Sequence, residues 1–238
     1  MNIALIFAGG TGIRMNSKGK PKQFLELHGK PIIIYTLEVF EKHKDIDKIV
    51  IVCIYNYIEV LKKDIVKFNI NKVCTIVPGG ESGFESIYNG LTAINDDATD
   101  NDYVLIHDGV RPLINEQLIT DNLECAIKYG NAISVVPVTE GVVISEDGFI
   151  VDNFPERKLI YTTKAPQTFK FNLIYNLYKK AIDEKFFAIE SAHLCNYYGM
   201  KLHMVRSSYD NIKISTPTDF YIFRAIYDAI ENAQIIGY

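Results

Sequence analysis

Ile3-Ala4-Leu5-Ile6-Phe7, followed at once by Ala8-Gly9-Gly10-Thr11-Gly12-Ile13-Arg14-Met15, joins a short apolar run to a glycine turn. The apolar run has the length and β-branched content of a buried strand. A polar stretch follows and closes on Pro21-Lys22-Gln23-Phe24-Leu25, so two cations, Arg14 and Lys22, come soon after the turn. Small residues let backbone N–H groups approach phosphate oxygens closely, and the cations supply countercharge. The same letters also suit a plain turn between a strand and a surface helix, but the cations at these offsets favour a phosphate cradle. Two common phosphate loops do not fit. The dinucleotide fingerprint needs a third glycine where Met15 stands, and no Gly-Lys followed by Ser or Thr occurs at P-loop spacing. Lys22, placed after a proline, is expected on an ordered loop that folds back over the nucleotide.

Outward from this stretch, strand and helix alternate through the first half of the chain. Apolar, β-branched runs at 3–7, 48–54, 73–77, 103–107 and 132–138 read as strands, and amphipathic patterns at 31–43, 57–68, 85–94 and 116–129 as helices. Pro31 suits the first turn of its helix and Gly130 the position just past the end of another. Such alternation predicts an α/β fold, a doubly wound Rossmann-like and mostly parallel sheet covered on both faces. Residues 139–164 break the pattern. Segments 142–145 and 148–151 flank Glu146-Asp147 like a hairpin, a β-rich run covers 159–163, and the whole is expected to project as a β-arm. Helices resume at 172–183 and 191–198, a strand at 201–205 follows, and Thr216-Pro217-Thr218-Asp219 opens a last helix to about residue 232. No repeat or linker interrupts the chain, so residues 1–238 are expected to form a single domain.

In such sheets ligands bind beyond the carboxyl ends of the strands. Three further loops carry chemistry there. Pro78-Gly79-Gly80-Glu81-Ser82-Gly83-Phe84-Glu85-Ser86 offers backbone groups, Glu81 and Ser86 to a nucleobase edge, or is an ordinary capped connection. His107-Asp108-Gly109-Val110-Arg111-Pro112 ends the fourth strand. Its Asp108 could hold Mg²⁺ and its Arg111 a phosphate, or the two could simply pair and fix a turn. His107 reads as a packing residue rather than a base. In Asn211-Ile212-Lys213, the lysine points opposite to its apolar neighbours, toward either the cleft or solvent.

The 238 residues, 48% hydrophobic, suffice for a large core, and the net charge of −4 argues against a nucleic-acid surface. No apolar run approaches the ~20 residues that span a bilayer, and the start lacks the basic region of a signal peptide. Cys53, Cys74, Cys125 and Cys195 are widely spaced, as expected of reduced thiols in a cytoplasmic protein and not of a zinc site.

Taken together, these loops resemble the cytidylyltransferases that act on methylerythritol phosphate and ribitol phosphate. The opening glycine loop, Pro21-Lys22-Gln23-Phe24-Leu25, Gly79-Gly80 with Ser86, His107-Asp108 with Arg111-Pro112, Pro166-Gln167 with Phe169, and Asn211-Ile212-Lys213 with Thr216-Pro217 follow in that family's order. The resemblance implies a nucleotide-diphospho-sugar transferase type of fold and transfer of CMP from CTP to a polyol phosphate, with Mg²⁺ and release of pyrophosphate. It implies that Arg14 and Lys22 grip the triphosphate, that Lys213 contacts the α-phosphate and that Asp108 is the metal ligand. Ala8, Gly9, Gly10, Gly80, Glu81 and Ser86 match positions around the cytidine, with Thr11, Gly12 and Gly109 completing the nucleotide loops. Arg111 and Arg157 match the acceptor side, Arg157 being delivered by the partner's arm in a homodimer.

Some positions depart from the family pattern. Gly83 stands where an arginine is usual, Glu140-Gly141 replaces Asp-Thr, Ala165 replaces a threonine before Pro-Gln, and Ile189 replaces a hydroxyl residue before an acid. Missing hydrogen-bonding groups alter selectivity strongly. CTP is therefore expected to be kept while the acceptor differs: ribitol 5-phosphate or a related alditol phosphate feeding a cell-wall or capsule polymer first, methylerythritol phosphate of isoprenoid synthesis second. An inactive nucleotide-binding partner protein and a nicotinamide-dependent reductase are the readings from other classes, and the missing third glycine counts against the last.

Overall fold

The structure, a computed structural model, describes residues 1–10, 19–95, 98–99 and 101–236. Its elements in chain order are β1 (Asn2–Ala8), β2 (Glu26–Leu27), β3 (Lys30–Pro31), α1 (Ile32–Lys42), β4 (Lys48–Cys53), α2 (Ile58–Lys67), β5 (Val73–Pro78), α3 (Gly83–Asn95), β6 (Tyr103–Asp108), α4 (Glu116–Tyr129), β7 (Asn131–Pro137), β8 (Tyr161–Lys170), α5 (Phe171–Asp183), α6 (Ser191–Tyr197), β9 (Met204–Arg206) and α7 (Pro217–Ile236). Seven strands form one sheet in the order β5-β4-β1-β6-β8-β7-β9. β1 pairs in parallel with β4 and β6, β4 with β5, and β7 with β9, while β8 runs antiparallel between β6 and β7. The expected doubly wound, mostly parallel sheet is present, with one reversed strand in its middle.

Alternation along β1 explains the two layers. Ile3 and Leu5 face the core shared with α3, α5 and α6, whereas Ala4, Ile6 and Ala8 face α1, α2 and α4. A third cluster gathers Leu27, Ile32, Tyr35, Val110, Ile214 and Phe223, and so ties the β2–β3 hairpin to α7. The Tyr35 hydroxyl donates to the Leu27 carbonyl at 2.7 Å within it. Asn115 caps α4 by accepting from the Leu118 N–H, and Gly130 ends that helix with φ +88°, as its sequence position suggested.

Four local expectations are corrected. Pro31 stands just ahead of α1, in extended conformation and paired with Glu26, instead of inside the first turn. The strand expected at 159–163 begins at Tyr161 and continues to Lys170, because residues 165–169 are buried within the sheet. The strand expected at 201–205 is the three-residue β9. In the arm, the hairpin expected over 142–151 has no ladder; only Ile144 bridges to Asn153. Asp147 explains this locally: its Oδ1 accepts from the Phe149 and Ile150 N–H groups at 2.8 Å each, drawing them away from strand pairing. The apolar side chains of the arm stay outside, Phe149 being 92% and Phe154 71% exposed.

Candidate active site

Chain order reverses across β1 and β6: the chain runs from β1 outward through β4 to β5, then returns to β6 on the other side of β1. This is the switch point at which doubly wound sheets bind ligands. Phe7 lies in register with Asp108, so the loops that leave β1 and β6 emerge side by side. The Gly109 N–H donates to the Phe7 carbonyl at 2.8 Å, and a Cβ on Gly109 would stand 3.3 Å from Ala8 Cβ.

The glycine loops after β1 and β5 touch. A Cβ on Gly79 would lie 3.3 Å from the Gly9 Cα, and one on either glycine would be 3.1 Å from the Ser86 hydroxyl. Bare backbone is what allows this approach. Among the described residues, nothing stands within 4 Å of a Cβ placed on Gly10. Beneath the first loop, the buried Gln23 amide donates to the carbonyls of Ala8 and Gly10 at 2.6 and 3.1 Å. Ser86 is buried at the start of α3; its hydroxyl accepts from the Gly80 N–H at 3.0 Å and donates to the Ser82 carbonyl at 2.8 Å. Ser82 and Glu85 form a capping box, Glu85 accepting from the N–H groups of the exposed Glu81 and of Ser82. Ser86 thus shapes the second loop from below, and Gly80 and Glu81 lie on its outer side. Thr11, Gly12 and Arg14 lie outside the described residues.

The charged centre is Asp108. Its Oδ1 is 2.6 Å from the Lys213 amine and its Oδ2 2.8 Å from the Arg111 Nε. Burial alone would raise the pKa of this carboxyl, but the two cations more than reverse that and hold it far below the ordinary value. Arg111 also donates to the Asn211 carbonyl at 2.9 Å, and the Asn211 amide donates to Ala165 O at 2.7 Å. Ile214 N–H donates to Val110 O at 2.9 Å. With Ile214 buried among the residues around Tyr35, Lys213 is turned into the cleft and not out to solvent. His107 is buried, rests against Phe40 and is pushed down to about 3 by that burial, so it is neutral and structural. Lys22 occupies the 3₁₀ turn Lys22–Phe24, half-buried, close enough to α7 for its charge to act on Asp219.

A cleft of ≈ 200 Å³ lies beside this centre. Asp108, Arg111 and Lys213 form its charged wall, Phe7, Ile87 and Ile106 an apolar one, and Lys164, Ala165, Gln167, Ile189 and Glu190 its far side. Three of the positions that depart from the family pattern, Gly83, Ala165 and Ile189, line it, and Ile189 is 93% exposed at its edge. Gly141 does not line it, nor does Arg157, whose guanidinium donates to its own chain's Thr139 carbonyl at 3.2 Å. Glu190 is engaged through one oxygen by Thr163 and Gln167. Asp108 is therefore an ionised carboxylate at the end of β6, beside the glycine loop after β1, and could hold an Mg²⁺ ion that takes most of its ligands from substrate phosphates and water. His28, Asp228 and Glu231 bring three ligand atoms within 4.8 Å of one another, but none of them lines the cleft.

Sequence reasoning did not assign work to Gln23, Asn211, Lys164 or Glu190. Gln23 and Asn211 lay inside quoted motifs as buried polar residues among apolar ones, the one signal available.

The family model described as IspD, 2-C-methyl-D-erythritol 4-phosphate cytidylyltransferase, matches residues 2–229. The chain belongs to this family. Among relatives within it, a ribitol-5-phosphate cytidylyltransferase from Vibrio parahaemolyticus is 47% identical over 238 residues, covering 100% of both chains. A 2-C-methyl-D-erythritol 4-phosphate cytidylyltransferase from Clostridium botulinum is 37% identical over 230 residues, covering 96% of this chain and 98% of that one. The solved structure of a 4-diphosphocytidyl-2C-methyl-D-erythritol synthase from Anaerococcus prevotii superposes with a TM-score of 0.84 at 28% identity, covering 95% and 96% of the two chains. The protein is an enzyme of the nucleotidyltransferase class, and CTP is the substrate that family membership implies. Among the described residues no helix is long and apolar enough to cross a membrane.

Proposed function

We propose that this cytidylyltransferase moves CMP from CTP to D-ribitol 5-phosphate, yielding a CDP-alditol and pyrophosphate. The observation that carries the choice of acceptor is that Gly83, Ala165 and Ile189, which depart from the family pattern, line the same cleft as Asp108, Arg111 and Lys213. Full-length identity of 47% to a ribitol-5-phosphate enzyme, against 37% to a methylerythritol-phosphate enzyme, supports the same reading.

An oxygen of the acceptor phosphate attacks the α-phosphorus of CTP while the bond to the β-phosphate breaks and pyrophosphate leaves. A phosphate monoester is already ionised near neutral pH, so no general base is needed. The protein supplies in-line placement and positive charge. Arg14 and Lys22 hold the triphosphate, Lys213 meets the α-phosphate, and Ala8–Gly12, Gly80, Glu81, Ser86 and Gly109 build the nucleotide site. Asp108 would hold Mg²⁺, which neutralises phosphate charge when bound. Arg111 serves the acceptor, and Arg157 of a second copy reaches the cleft through the arm, whose exposed Phe149 and Phe154 suit a homodimer contact. The chain forms one catalytic domain. Its four cysteines are unpaired, in keeping with the reducing cytoplasm.

Pyrophosphate release should be measured with CTP, Mg²⁺ and a panel of alditol phosphates. Ribitol 5-phosphate should give the highest kcat/KM. Faster turnover of methylerythritol 4-phosphate would replace the acceptor, and tight CTP binding without release on any acceptor would favour an inactive binding protein.

A further inference from the structure

β8 is irregular where it passes the cleft. Its pairing with β7 matches Ile133 to Gln167 and then Val135 to Thr163, so residues 164–166 face Ser134 alone. Its pairing with β6 stops at Ile106 opposite Gln167. The irregular stretch therefore lies past that point, at the end of β6 that bears Asp108. Bulges of this kind re-aim side chains and recur beside active sites.

Lys164 is the side chain so re-aimed. It lines the cleft, half-buried, and burial together with the neighbouring charge of Arg111 lowers its pKa. Among the described residues it has no hydrogen-bond or ion-pair partner. The cleft thus holds three cations, Arg111, Lys164 and Lys213, and two carboxylates. Asp108 is shared by Arg111 and Lys213, and Glu190 is bonded to Thr163 and Gln167. A half-buried amine beside a second cation and without a counterion is a poor arrangement unless an anion completes it. Either phosphate source, CTP or the acceptor, has the right chemistry. The strand order favours the acceptor, since the glycine loops follow β1 and β5 whereas Lys164 sits on β8, beyond β6.

We propose that Lys164, together with Arg111, forms an anion subsite that binds the phosphate of the acceptor. The assignment rests on the cytidylyltransferase reading above.

K164Q and K164R test it in steady-state pyrophosphate release, with CTP and ribitol 5-phosphate varied in turn. K164Q should raise KM for ribitol 5-phosphate about 10- to 100-fold and leave KM for CTP within about 2-fold, as expected for loss of one charged hydrogen bond. K164R should recover most of the loss. An unchanged acceptor KM, or an equal rise for CTP, would overturn the proposal. Calorimetric titration with inorganic phosphate reads the same subsite without turnover: K164Q should bind it at least ~10-fold more weakly than the unaltered protein. Equal affinity would overturn the assignment. If no alditol phosphate supports pyrophosphate release, the proposed function fails, and the phosphate titration still decides Lys164.

Discussion

Asp108 shows how one residue organises the site. It fixes the Lys213 amine and the Arg111 guanidinium at 2.6 and 2.8 Å, so both cations are set in place before substrate arrives. Lys213→Ala, Lys22→Ala and Arg14→Ala should each lower kcat by about 10²–10⁴-fold, by analogy with removal of a single transition-state donor. Near-normal turnover in any of them would remove that residue from the mechanism. Asp108→Ala and Lys213→Ala should combine non-additively, because the carboxylate acts in part through the lysine it positions. A double variant whose loss equals the sum of the single losses would show that the two act independently. At this scale the sequence disclosed residue types well. Lys213 could point to cleft or solvent from its letters alone, and burial of Ile214 against Tyr35 and its neighbours settles that it faces the cleft.

The elements place these residues through caps and close contacts. The Asp219 carboxylate accepts from the Ser215 and Thr216 N–H groups at 2.9 and 2.8 Å and from the Thr216 hydroxyl at 2.9 Å, opening α7 just after the Lys213 segment. Burial would raise its pKa, but these hydrogen bonds, with the Lys22 charge, bring it below the ordinary value. A carboxyl depressed in the folded state stabilises the fold above its unfolded pKa, near ~4, and this contribution is lost as pH falls below that. Asp219→Ala should therefore cost about 1 kcal/mol at pH 7 and less at pH 3, measured by urea unfolding. A cost independent of pH would mean the carboxylate's charge is not what matters. On the opposite face, α3 lies so close to the sheet that a Cβ on Gly90 would come within 2.4 Å of Leu5 Cδ1 and 2.8 Å of Val52 Cγ2. Gly90→Ala should destabilise by about 1–3 kcal/mol through overpacking, despite alanine's better helix propensity. A rise in Tm would contradict that packing. Both features lay in the sequence, but the Thr-Pro-Thr-Asp cap is a local pattern and was readable, whereas the Gly90 contact depends on which strands α3 crosses.

For the molecule as a whole, the arm is the part that the chain by itself leaves unfinished. Ile144, Phe149, Ile150 and Phe154 are exposed, and the one strand bridge in the excursion joins Ile144 to Asn153. Sedimentation should show a dimer, and a Phe149→Asp/Phe154→Asp double variant should sediment as a monomer with strongly reduced activity, because the contribution proposed for Arg157 of a second copy would be lost. A monomeric unaltered protein of full activity would exclude that contribution.

The sequence by itself determined the alternation of strands and helices and the glycine loops, and its resemblance to a known family singled out Arg14, Lys22, Asp108, Arg111 and Lys213. The alternation and the loops follow from short-range physics: side-chain periodicity and turn preferences. The tertiary structure decided that β8 is reversed between β6 and β7, that its irregular stretch turns Lys164 into the cleft, and that Gly83, Ala165 and Ile189 share that cleft with Asp108. Residues so far apart along the chain meet only through the pairing and packing of distant strands and helices, which no local pattern encodes. The opening glycine loop by itself read as a phosphate cradle or a plain turn, whereas the residues that share the cleft with Asp108 came together only when the sheet was assembled.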